Sequence, residues 1–154
     1  VKRYYYHPAT KGSNSIKQVL PAILNESQAL QLKYKDPIYG TPDFPSHNFK
    51  NWSWLQKDED LGQVKDPYKL LKPIFEGIDT DQLDLLMGAD DLADGGAAMT
   101  AYSKMQFSEM SEIETKALTE ALLRYCELDT FAMVLIFEYW ADLVGIKKLE
   151  KVAT

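Results

Sequence analysis

Two residues in the late, apolar part of the chain are spaced for chemistry. In "LLRYCELDTFAMVLIFEYW", Tyr125 and Asp129 stand at i and i+4, so on a helix they share one face, a turn apart. Continuing the helical period gives the stripe Leu118, Leu122, Tyr125, Asp129, Ala132, Ile136 and Tyr139, in which Asp129 alone is neither apolar nor aromatic. A carboxylate in such a stripe needs a donor, a cation or water, because an unpaired buried charge costs on the order of several kcal/mol. A hard divalent cation is one answer. Mg²⁺ and Mn²⁺ take oxygen ligands, and with several carboxylates converging they stabilise the entering and leaving oxygens of a phosphodiester. The plainer answer is a structural pairing with Arg124, Lys116 or a tyrosine hydroxyl.

The element that must position this pair reads as one long helix. Ser111 and Glu114 form an S-x-x-E capping box at its start, the pattern runs to about Leu143, and Gly145 ends it. Beyond Glu127 it is apolar nearly all round, which predicts the most buried element of the fold. A second helix is written in "SIKQVLPAIL", with Ile16, Val19, Leu20, Ile23 and Leu24 on one face and Asn14 or Ser15 as its cap. Pro21 inside it predicts a kink or a fresh start. Ser15 and Lys17 lie at its N-terminus, where free N–H groups suit a nucleic-acid phosphate; otherwise Ser15 caps and Lys17 is solvated.

Residues 26–78 are broken repeatedly by Pro and Gly and read as a long irregular, aromatic- and Pro-rich segment that packs down because Phe44, Phe49, Trp52 and Trp54 are costly to leave in water. Trp52 and Trp54, near Lys50 and Lys57, could stack unpaired bases; anchoring the loop is the commoner use of such residues. "DPYKLL" predicts a short helix with Pro67 in its first turn. Residues 79–145 form the helical core, with "DQLDLLMG" stopped by Gly88 and a helix over Ala97–Met105. Asp90, Asp91 and Asp94 lack calcium-loop spacing and read as caps and turns. His7 and His47 are expected to serve local hydrogen bonds, and Cys126 to be a small buried residue.

The chain is a single domain, residues 1–154, with a net charge of −6. That charge is divided: residues 1–35 hold six Lys/Arg and one acid, whereas residues 76–130 hold thirteen Asp/Glu against Lys104, Lys116 and Arg124. The lone Cys126 excludes an internal disulfide or a cysteine metal cluster. Asp129, Glu138 and Asp142 interrupt the one run apolar enough to suggest a membrane span. The polar start "VKRYYYHPATKG" is unlike a signal peptide, and a reducing, cytoplasmic setting is expected. Without an initiator Met, the chain reads as cut from something longer.

Three blocks in order, "YYYHPATKGSNSIKQVLPAIL", "ADGGAAMTAY" and "LLRYCELDTFAMV", resemble a bacterial family, domain of unknown function 2779, over nearly the whole chain. The Tyr-x-x-x-Asp of the last block also resembles the third motif of the DEDD-type 3′–5′ exonucleases in the ribonuclease H-like superfamily. This resemblance implies a mainly α chain, the helical C-terminal portion of an α/β ribonuclease H-like domain, with at most a short strand near "KRYYY". It implies part of a metal-dependent nuclease, with Asp129 a ligand to Mg or Mn in the intact protein and Tyr125 orienting the attacking water. The family's D-x-E strand motif and its following helical Asp are not in these residues. A fragment with an incomplete metal site is therefore expected, inactive by itself, with no cofactor of its own. It should either expose the apolar area that the missing N-terminal half would cover or hide it in a homodimer. The rival expectation is a non-catalytic helical module that binds protein or nucleic acid.

Overall fold

Apolar residues at helical spacing build the scaffold. A computed structural model describes residues 6–71, 102–103, 106 and 109–146. Among them stand three α-helices, α1 (Ile16–Glu26), α2 (Gln28–Tyr34) and α3 (Glu112–Leu143), and no named strand, so the described part is mainly α. The helix expected over 79–88, most of that expected over 97–105, the turn aspartates Asp90, Asp91 and Asp94, and the strand expected near "KRYYY" lie outside the described residues.

α1 buries Val19, Leu20, Ile23 and Leu24, the face that its sequence marks. Pro21 does not start a second helix; α1 runs through it as one element. The missing N–H leaves the Lys17 carbonyl without its usual helical donor. The break comes later, at Ser27, whose hydroxyl accepts from the Leu30 amide at 3.2 Å and caps α2. This helix corrects the reading of 26–78 as irregular outside "DPYKLL". It has only seven residues, and its inward pair Leu30 and Tyr34 is too short a pattern to stand out.

From Lys35 to Leu71 the chain is held by turns and isolated bridges. Tyr39 and Trp52 exchange both main-chain hydrogen bonds, at 3.2 and 2.8 Å, and Thr41 pairs with Phe44 and Lys57 with Val64. Gly40 sits at φ +79°, and a Cβ there would lie 2.1 Å from the Phe49 carbonyl oxygen. The close approach requires glycine. The aromatics do pack down: Tyr39, Phe44 and Trp54 gather on Phe131 of α3, with ring centroids 4.8, 5.6 and 6.4 Å away, and Phe49 meets Trp54 edge-on at 4.7 Å. Trp54 is only 1% exposed, so it anchors the loop and has no face to offer a base. Its indole N–H and that of Trp52 have no hydrogen-bond acceptor among the described residues; the surrounding ring faces are the weak acceptors at hand.

α3 begins directly after Ser111. It ends in a Schellman motif, with Ile146 N–H donating to the Ala141 carbonyl, Gly145 N–H to the Asp142 carbonyl, and Gly145 at φ +69°. The predicted stripe faces inward: Leu118, Ala132, Ile136 and Tyr139 are buried, joined by Leu128, Phe131 and Leu135. The helix is not buried all round, however. Met133 and Phe137 on its far side are 58% and 62% exposed, and Val134 is exposed as well. An all-round apolar sequence here hides a one-sided packing. Carboxylates along the rim of the buried face tie the earlier segments down. Glu127 accepts from Tyr39 at 2.8 Å, from Asn48 Nδ2 at 2.6 Å and from Ser46 Oγ. Glu138 accepts from Lys33 and from the Tyr34 hydroxyl, and Tyr139 donates to Glu26, which also pairs with His7 Nε2 at 3.3 Å.

Two outcomes test this account. Gly40→Ala combines a left-handed backbone with a clash against fixed main chain, so it should lower unfolding free energy by on the order of 3 kcal/mol, read by urea denaturation. Partial burial alone would raise the Glu127 pKa, but donation from Ser46, Asn48 and Tyr39 outweighs it and holds the group below the usual carboxylate range. A depressed native pKa contributes stability above the unfolded value and loses it as pH falls through the native one. Stability of the wild type should therefore drop on acidification below about pH 4.3, the ordinary Glu value, and Glu127→Gln should flatten that slope.

Candidate functional site

The carboxylate that stood out in the sequence has found a partner. Tyr68, on a short 3-10 turn (Pro67–Leu70), donates its hydroxyl to Asp129 Oδ1 at 2.6 Å. The turn is fixed locally: Pro67 is buried and pre-sets the backbone, and Asp66 Oδ1 caps the Tyr68 amide at 3.0 Å. The "DPYKLL" expectation holds, as 3-10 rather than α geometry. Neither Arg124 nor Lys116 reaches Asp129, and its Oδ2 takes no hydrogen bond among the described residues.

Three of the four residues singled out for chemistry come together here. The Tyr125 ring lies 5.9 Å from that of Tyr68, and the Lys17 ammonium sits over both, 5.2 Å from the Tyr125 centroid and 5.6 Å from that of Tyr68. Lys17 is thus seated on two aromatic faces, an arrangement worth about 0.5–2 kcal/mol. It forms no ion pair among the described residues. The Tyr125 hydroxyl likewise has no protein partner among them. Ser15 occupies the N-cap position of α1, but its hydroxyl makes no cap bond; its amide donates to Ser13 Oγ at 3.1 Å. α1, the 3-10 turn and α3 each deliver one side of the cluster.

Burial raises the Tyr68 phenol far above its ordinary range, and the Asp129 carboxylate that accepts its proton raises it further, so Tyr68 stays a donor. Sequence reasoning missed Tyr68. Its D-P-Y context announces a turn, but nothing in its spacing announces a partner 61 residues away.

Other candidates resolve more simply. His7 accepts from the Ala9 amide through Nδ1 and pairs with Glu26, the local role expected of it. Cys126 is exposed, not buried, because it falls on the outer face of α3. No group of three or more His, Cys, Asp or Glu side chains that could hold a metal ion occurs among the described residues. No described helix is long and apolar enough to cross a membrane. Comparison with protein-family models, curated proteins and solved structures finds no match for this chain.

The pairing of Tyr68 with Asp129 makes a spectroscopic prediction. Asp129→Asn should lower the Tyr68 pKa without restoring the ordinary value, because burial remains. Residue-resolved ¹³Cζ chemical shifts of tyrosine across an alkaline titration would show this, and an unmoved Tyr68 would mean that burial alone holds it.

Proposed function

We propose that this chain carries one corner of a metal-dependent nuclease site acting on DNA or RNA. On this reading it is the helical part of a ribonuclease H-like domain of the kind found in the domain of unknown function 2779 family. The observation that carries the proposal is that Lys17 of α1, marked in the sequence apart from the Tyr125–Asp129 pair of α3, joins that pair in one partly buried cluster. The exposed apolar side of α3 agrees with a helix meant to lie against a further layer.

The described cluster supplies a single carboxylate toward a metal site. Mg²⁺ and Mn²⁺ are commonly held by one or two carboxylates plus phosphate and water oxygens, and Asp129 Oδ2 offers one such oxygen. When bound, such an ion would polarise the phosphodiester and activate water. Asp129 would hold it. The Tyr125 hydroxyl, which has no protein partner among the described residues, would orient a water by a single hydrogen bond. The Lys17 ammonium would attract the phosphate and fix its approach, with Ser15 beside it at the start of α1. The cluster holds one such carboxylate, whereas two-metal hydrolysis needs several. The chain by itself should therefore bind Mg²⁺ or Mn²⁺ weakly and cleave nothing.

A second reading is a non-catalytic helical module that binds protein or nucleic acid. It is favoured by the Tyr68 hydrogen bond, which satisfies Asp129 without any metal.

Degradation of end-labelled single-stranded DNA and RNA by the full-length protein in Mn²⁺ separates the two. On the nuclease reading, Asp129→Asn removes the ionic ligand at constant shape and should reduce the rate by at least about 100-fold, with the helical circular dichroism unchanged. Tyr125→Phe should cost less, about 10-fold, because it deletes only a water-orienting hydroxyl. An Asp129→Asn protein as fast as wild type would leave the module reading.

A further inference from the structure

We infer that the open side of α3 is a homodimer seam, on which α3 of a second copy of this chain packs antiparallel, whatever the chemistry of the Asp129 cluster. α3 buries one face against α1, α2 and the aromatic segment, and no described element covers the opposite face. That face is ordered along the helix. Cys126, Thr130, Met133, Phe137, Trp140 and Val144 are all exposed, and they recur at alternating steps of four and three residues, the spacing by which one helix packs on another. Val134 lies exposed beside them. The charged residues between Leu123 and Val144, which are Arg124, Glu127, Asp129, Glu138 and Asp142, all fall off this line.

Charge, area and shape choose the occupant. A two-fold interface sets the same face on both chains, so a line of one charge would repel itself, and this line carries none. Its surroundings are acidic but for Arg124, which suits an anionic lipid surface poorly, since helices that lie on membranes flank their apolar face with Lys and Arg. A whole aromatic side chain buries about 150–250 Å², so the open shares of Phe137 and Trp140, 62% and 42%, come to about 200 Å² together. With Met133, Val134, Val144 and the smaller members counted alike, the face reaches roughly 700 Å², close to the ~800 Å² that each partner gives to a stable interface and larger than the ~300–600 Å² patch of an ordinary monomer. A helix of matching length fills such a line. Among the described helices only α3 is long enough, α1 having 11 residues and α2 seven. Direction follows from volume. With the two-fold axis level with Leu135, Phe137 meets Met133 of the second copy, Trp140 meets its Thr130 and Val144 meets its Cys126, so each larger side chain faces a smaller one. Parallel packing would set Trp140 on Trp140 and leave Thr130 facing Thr130.

The test is sedimentation velocity of the full-length protein across the micromolar range, joined to cross-linking with a short bismaleimide. The wild type should sediment as a dimer. Phe137→Glu, on the open side of α3, should raise the dimer dissociation constant at least about 100-fold, because each dimer loses its central anchor twice, while helical circular dichroism stays unchanged. Cys126, the sole cysteine of the chain, should not link to its own copy, because antiparallel packing holds the two about 27 Å apart at 1.5 Å per residue. Val144→Cys should give a covalent dimer through a link between positions 126 and 144, identified by peptide mapping. A protein that is monomeric throughout the range overturns the inference, the face then belonging to another part of the full-length protein or to a different partner. So does a dimer that Phe137→Glu leaves intact, which forms elsewhere, and so does a wild-type link between the two Cys126 side chains, which means parallel packing. If Phe137→Glu fails to fold, Val144→Cys decides: a folded protein without the link between positions 126 and 144 overturns the inference.

Discussion

Everything described in this fold rests on one face of α3, and on how that face ends at its edges. Leu128, Phe131, Ala132, Leu135, Ile136 and Tyr139 bury their side chains against α1, α2 and the aromatic segment. Full burial of each large apolar side chain is worth about 1.5–3 kcal/mol, which makes this seam the main source of stability. At its rim, charge begins. Tyrosine meets the problem repeatedly: Tyr34, Tyr39 and Tyr68 place rings in or beside the core and hydroxyls on Glu138, Glu127 and Asp129, while Tyr139 of α3 reaches back to Glu26. A phenol is apolar in body and polar at its tip, so one residue type serves both the core and its charged border.

This arrangement explains why a long segment with little regular structure can still be ordered. Between Lys35 and Leu71 the backbone has only isolated bridges and turns to satisfy it. Side chains supply the rest. Glu127 gathers Tyr39, Ser46 and Asn48 from three points of the loop, and Phe131 receives the rings between them. The loop is a lining for α3. The candidate site, by contrast, draws its side chains from α1, α3 and a proline-fixed turn, elements stiff enough to hold a constellation in place.

Periodicity made α1 and the inward stripe of α3 legible in the sequence, because each repeats its apolar signal over several turns. It also marked Asp129 as a misfit, and the misfit is real in that the carboxylate required a partner. Which partner was not legible. Tyr68 lies in a different element, and helical spacing carries no information about contacts between elements. Two other features escaped for opposite reasons. α2 is too short for its pair of inward residues to look periodic. The far side of α3 is too apolar, so composition predicted burial where Met133 and Phe137 stand exposed. Lys17 was marked for its place at a helix start, while its seat on two tyrosine rings depends on the 3-10 turn coming to meet α1.

The ties between the two described stretches are also remote along the chain. Lys33 and Glu138 are 105 residues apart, and Glu26 and Tyr139 are 113 apart. Closing such a loop costs configurational entropy before any contact rewards it, although the cost grows only logarithmically with length. α1 and α3 can each begin to coil on the sub-microsecond to microsecond scale of local helices. The aromatic lining cannot settle until α3 arrives to receive it. On a ribosome α3 emerges after the aromatic segment, so in the interval between them the chain carries Tyr39, Phe44, Phe49 and Trp54 without the face that receives them. The dependence of the loop on a distant helix is thus a dependence in time as well as in space, and it places the greatest hazard of sticking to other chains before α3 has been made.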